Sequence, residues 1–149
     1  MAKKKKKKFN ENAAIRSAIR RIFSRSPVVI EVIEEGRRER PRYKKDGSLA
    51  KVPHVEYNCQ SCGRWFKKKD IAVDHISPVI HPDRGFVDWN EFVERLWCDK
   101  SNLQRLCNYL VKNKDQHGGV TSCHHQKTQA ERKALREKAA KGKIKTDKS

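Results

Sequence analysis

Four short stretches of this chain carry residue types able to do chemistry: Cys59-Gln-Ser-Cys62-Gly, Asp74-His75, Asn102 within SNLQRLC, and Cys123-His124-His125-Gln-Lys127-Thr. Two-residue spacing lets Cys59 and Cys62 face one ion from a tight turn, which makes them half of a tetrahedral zinc site. A redox pair with the same spacing belongs to a βαβ setting, and the surrounding pattern offers none. The other half must come from Cys98, Cys107 and Cys123, no two of which are close in sequence. Cys107 and Cys123 are the expected pair, with the polar, Gly-broken segment NYLVKNKDQHGGVTS between them as an excursion. Loop-closure cost grows slowly with length, so such an excursion is tolerable. Cys98, next to Trp97 on a predicted helix, reads as a small buried hydrophobe.

Asp74 and His75 end an apolar run, and adjacent residues on a regular strand point to opposite faces. Both can serve one site only where the strand ends, at the turn into Pro78. Alone, this dipeptide reads as a surface strand end. A zinc held by Cys59, Cys62, Cys107 and Cys123 changes that, because Asn102 lies shortly before one ligand and His124 directly after another. The metal would draw Asp74, His75, Asn102 and His124 within reach of one another. Spacing alone does not say which of His124 and His125 would ligate a second ion.

The elements that must position these groups read as follows. Ile15, Ala18, Ile19, Ile22 and Phe23 fall on one face of a helix capped by Asn10, with Arg16, Arg20 and Arg21 off that face. Ser26-Pro27 opens a second helix over Val28–Glu35, ended by Gly36. Residues 37–53 are a charged linker with an Asp46-Gly47 turn. Val55 and Tyr57, the knuckle, then Trp65-Phe66 and Ile71–Val73 read as strands. Asp88 caps a helix with an apolar stripe of Trp89, Phe92, Val93, Leu96 and Trp97. Ser101–Cys107 reads as a connector, and 108–116 as one or two helical turns before Gly118-Gly119. A last helix runs from near Cys123 to about Ala140. The division expected is a disordered Lys-rich tail (1–9), a basic helical extension and linker (10–53), a catalytic domain (54–140) and a basic tail (141–149).

The charge is unevenly placed. Of the 149 residues, 1–45 hold 16 Lys/Arg against 5 Asp/Glu, 126–149 hold 9 against 3, and 46–125 hold 11 against 10. A nearly neutral centre between cationic arms suits a polyanion, since each Lys or Arg set on a phosphate releases counterions. No apolar stretch is long enough to span a membrane, and no apolar segment follows the basic start. A cytoplasmic location, with reduced thiols and no membrane partner, is the expectation.

The order CxxC, VDHI-x-P, N-L-Q-x-L-C and C-H-x-x-K-T resembles the HNH endonucleases of the His-Me finger (ββα-metal) group, most closely the small free-standing ones of bacteriophages. The departure is the second knuckle, opened here to Cys107-x15-Cys123. The resemblance implies an α+β fold with a ββα-metal core and a structural zinc. It implies Asp74 and His124 as ligands of a catalytic Mg²⁺ or another divalent cation such as Mn²⁺, with His75 as general base. Asn102 would fix the loop and orient His75, Lys127 would contact phosphate, and His125 would fall on a variable position. Arg16, Arg20, Arg21 and Lys133 are the expected further contacts to double-stranded DNA, cut to 5′-phosphate and 3′-hydroxyl ends. Two rivals stand beside this reading: a non-catalytic zinc-ribbon adaptor on nucleic acid, and a nuclease active only with phage terminase or packaging proteins. In a phage, the location would be the host cytoplasm.

Overall fold

A computed structural model describes residues 8–111 and 119–146. The expected tail up to Lys7, the Gly118 break and most of the helical turns expected over 108–116 lie outside the described residues, and Asn108–Val111 is not helical. The fold is α+β. Helices α1 (Glu11–Phe23) and α2 (Pro27–Glu34) come first, followed by strands β1 (Arg37–Arg40), β2 (His54–Asn58) and β3 (Trp65–Phe66), which form one antiparallel sheet in that order. Strand β4 (Ile71–His75) pairs with β5 (Leu103–Cys107) in a second sheet, across an insertion that holds helix α3 (Trp89–Leu96). Helix α4 (Cys123–Thr146) closes the chain. Among the described residues no helix is long and apolar enough to cross a membrane.

Local chemistry explains most boundaries. Asn10 caps α1 by accepting from Ala13 N–H at 3.0 Å, and Asp88 caps α3 by accepting from Glu91 N–H at 2.8 Å. Pro27 opens α2, where its missing N–H is harmless. The stripe expected on α1 is only partly covered. Phe23 is buried and Ile19 packs beside the core, whereas Ile15 and Ile22 are exposed. Two buried clusters result. One joins Phe23, Val29, Val32, Phe92, Leu96 and Leu103, and the other gathers Tyr57, Cys59, Phe66, Ile71, Leu106 and Cys107, with Ile33 packed against both.

Two expectations are corrected. Residues 37–53 are not merely a linker: β1 is a strand, paired with Arg38 opposite Glu56. Glu56 accepts from Arg38 at 3.0 Å and from Arg40 at 2.9 and 2.7 Å, and the Arg38 guanidinium lies 3.7 Å from the Trp65 ring centroid. Cross-strand charge pairing thus supports a strand whose composition hid it. The Asp46-Gly47 turn is present, with Gly47 at φ 84° and Asp46 Oδ1 accepting from Ser48 N–H at 2.9 Å.

Residues 101–107 are not a connector either. A 3-10 turn over Lys100–Asn102 leads into β5, in register Ile71↔Cys107 through His75↔Leu103. The masking residue is Arg105, a buried cation within an apolar run. Its guanidinium donates to the Val32 carbonyl at 2.6 Å and to Asn58 Oδ1 at 3.1 Å, tying α2 and β2 to β5. α4 also runs further than expected, to Thr146 rather than Ala140.

Gly36 makes room for this arginine. A Cβ there would lie 2.2 Å from Arg105 Nε and 2.4 Å from Asn58 Oδ1. Gly36→Ala should therefore destabilise the fold by about 1–3 kcal/mol, as overpacking that also frays a buried charge network. Chemical denaturation would check this, and an unchanged midpoint would show that Arg105 can move away at little cost.

Candidate active site and metal centre

The sheet of β4 and β5 connects two sites. At one end Cys107 ends β5, and at the other His75 pairs with Leu103. The Sγ atoms of Cys59, Cys62, Cys107 and Cys123 lie within 4.8 Å of one another, close enough to hold a metal such as zinc. Four sulfurs at about 2.3 Å from one zinc would be roughly 3.8 Å apart, so the observed cluster needs only slight contraction. The knuckle is set by backbone bonds: Cys59 N–H donates to the Arg64 carbonyl and Gly63 N–H to the Cys59 carbonyl, with Gly63 at φ 70°. Cys123 N–H points at Cys107 Sγ, 3.2 Å away, across the long excursion.

The donor chemistry fits a metal. Cys59 and Cys107 are fully buried. Burial pushes the Cys107 thiol up to about 12 and raises that of Cys123 as well. At Cys62 burial also raises the value, but backbone and guanidinium donors from Arg64, with neighbouring thiols, bring it down to about 7. With Cys107 and Cys123 raised in this way, all four thiols would ionise together at neutral pH only when a cation replaces their protons. Cys98 is half-buried beside the Phe92 and Leu96 cluster and stands outside the thiol group, as its expected packing role requires.

At the other end, Asp74, His75, His124 and Asn102 do converge. Asp74 Oδ1 is 4.0 Å from His124 Nε2, a span one shared cation could bridge. Oδ2 of Asp74 is buried and has Lys127 Nζ at 2.6 Å, a charge contact without the direction of a hydrogen bond. Asn102 anchors the loop leaving His75 twice: its side chain accepts from Ser77 N–H at 2.8 Å and its carbonyl from Ile76 N–H at 2.8 Å. His125 is exposed, and of the two histidines only His124 faces Asp74.

His75 is buried, its ring 5.2 Å from that of Phe23, with Nε2 2.8 Å from the Leu96 carbonyl. A carbonyl only accepts, so Nε2 carries the proton and Nδ1 keeps the lone pair. Burial lowers the pKa of this imidazole, while the Leu96 carbonyl and the Asp74 charge oppose that shift and Arg20 and Lys127 add to it. Arg20, Phe23, Asp74, His75, Leu96 and His124 line one open cleft of about 330 Å³. Arg16 and Arg20 lie over the rings of Phe86 and Phe92, and Arg21 sits against Ser17 of the same helix. Lys133 is on the exposed part of α4, near Glu137.

Lys127 is placed inward. Its ammonium sits among three oxygens: Asp74 Oδ2 at 2.6 Å, Glu131 Oε1 at 2.7 Å and the His75 carbonyl at 2.8 Å. Sequence reasoning missed the Leu96 carbonyl and Glu131. The first leaves no trace in side-chain identity, being a backbone atom. The second was readable from its position four residues after Lys127 on a helix.

Two outcomes check this geometry. Cys107→Ala should lose the bound metal and Cys98→Ala should keep it, by elemental analysis of the purified proteins. An NMR titration should place His75 below the usual histidine range of about 6.5, and Asp74→Asn should lower it further by removing the charge that favours imidazolium. Because burial favours the neutral ring in the fold, His75 contributes to stability above the ordinary value. That contribution falls as pH drops from there through the depressed native value.

No protein-family model, curated protein or solved structure matches the chain significantly.

Proposed function

We propose that the chain is a metal-dependent endonuclease of the HNH type that hydrolyses phosphodiester bonds of double-stranded DNA, with zinc at the four cysteines. The observation that carries the reading is the pairing of Asp74 Oδ1 with His124 Nε2, 4.0 Å apart, in the cleft that also holds His75. A carboxylate and an imidazole suit a divalent cation such as Mg²⁺ or Mn²⁺, and such a cation would supply charge neutralisation at the scissile phosphate.

The chain's own groups then have distinct tasks. His75 Nδ1, freed by the Nε2–Leu96 bond, takes a proton from water as the water oxygen attacks phosphorus. The 3′ oxygen leaves and is protonated by solvent, which gives 5′-phosphate and 3′-hydroxyl ends. A lowered pKa keeps His75 in its neutral, accepting form at physiological pH. Asn102 holds the loop that follows, so His75 stays at the strand end. Arg20 is the guanidinium lining the cleft, within reach of a phosphate, and Arg16, Arg21 and Lys133 extend the cationic surface. Such contacts position the duplex without reading its sequence.

Cleavage of supercoiled plasmid in Mg²⁺, Mn²⁺ or EDTA tests the reading. His75→Ala should lose 10²–10⁴-fold in rate, an order-of-magnitude expectation for a general base, with metal affinity nearly unchanged. His124→Ala should move the metal titration to higher concentration, and His125→Ala should do neither. A protein that binds plasmid but never nicks it, with His75→Ala indistinguishable from the parent, would leave the non-catalytic adaptor reading in its place.

A further inference from the structure

We propose that Lys127, held by Glu131, is a positioning residue that restricts Asp74 to one-oxygen metal coordination and so biases the cation site toward Mg²⁺ over Ca²⁺. The inference rests on the reading of Asp74 and His124 as ligands of a divalent cation. It concerns a residue whose expected task was to meet phosphate.

The two oxygens of Asp74 are in different situations. Oδ2 has no exposed surface and lies 2.6 Å from the Lys127 ammonium, whereas Oδ1 is the oxygen facing His124 Nε2. The ammonium is not free to leave. Glu131 Oε1 holds it at 2.7 Å from one turn further along α4, and the His75 carbonyl holds it at 2.8 Å from the strand end. A cation approaching from the His124 side meets Oδ1 alone, because the second lone-pair region of the carboxylate is covered by a positive charge. Mg²⁺ accepts this arrangement, since it takes single oxygens at about 2.0–2.1 Å in near-octahedral geometry and keeps several waters. Ca²⁺ gains most from two-oxygen carboxylates at about 2.3–2.6 Å, which the lysine denies it.

The lysine's charge also repels any dication, but it does so almost equally for Mg²⁺ and Ca²⁺. The ratio of their affinities therefore isolates coordination geometry from electrostatics. Displacement of Mn²⁺ by Mg²⁺ and by Ca²⁺, followed by electron paramagnetic resonance of free Mn²⁺ without DNA, gives that ratio in the full chain. Lys127→Met should tighten both ions and shift the ratio toward Ca²⁺ by about tenfold, the worth of one better-matched ligand. Glu131→Gln, at a half-exposed position safe for folding, should shift it in the same direction by less. The cysteine-bound metal should remain in both. An unchanged ratio in the two variants, with Mn²⁺ still bound, overturns the clamp and leaves the nuclease reading standing. Equal Mn²⁺ binding by the parent and by His124→Ala overturns the cation site and the clamp together.

Discussion

Four thiols from three separated parts of the chain close within 4.8 Å of one another, and the geometry of everything that could do chemistry follows from that closure. Cys59 and Cys62 belong to the knuckle after β2, Cys107 is the last residue of β5, and Cys123 is the first of α4. Fixing Cys123 beside Cys107 fixes where α4 begins. His124 and Lys127 are then carried to Asp74 at the far end of the β4–β5 ladder. Burying two of these thiols fully is unfavourable in the ionised state without a cation, so a metal held by the four cysteines would couple its binding to formation of this core. A small, highly charged chain with two modest apolar clusters gains from such a staple.

Around that staple, buried charge is used in two different ways. Arg105 joins three elements through carbonyl and amide oxygens, so its task is to hold α2 and β2 onto β5. Lys127 and Asp74, by contrast, are both partly exposed, with Asp74 on the cleft's wall and Lys127 behind it, where the ammonium covers one carboxylate oxygen and leaves the other facing His124. His75 lies between these regimes. It is dry enough to prefer neutrality, it is pinned through Nε2 by a backbone carbonyl, and it has an aromatic neighbour in Phe23. An imidazole so fixed has one nitrogen left to accept a proton, which is the requirement for a base at a defined point.

Much of this was legible in residue types and spacing. The four-cysteine cluster, the strand ending at Asp74-His75, the cap at Asp88 and the placement of Asn102 and His124 near that strand end all follow from side-chain chemistry at a given offset. What stayed hidden had physical causes. β1 is a run of charged residues whose pairing depends on Glu56, sixteen or more positions away, so no local pattern displays it. β5 was obscured because Arg105 interrupts its apolar character, and the partners that neutralise that burial are distant in sequence. The exposure of Ile15 and Ile22 shows the converse: helical periodicity identifies the face but not how much of it a neighbour covers.

The central claim is that one closed thiol site organises a second, open cation site made by Asp74 and His124. The most direct measurement is diffraction from crystals soaked in Mn²⁺, with anomalous data collected at the zinc and manganese edges. The expected result is zinc at Cys59, Cys62, Cys107 and Cys123, and manganese between Asp74 Oδ1 and His124 Nε2. Manganese located elsewhere, or an Asp74–His124 cleft without it at saturating concentration, would contradict the claim.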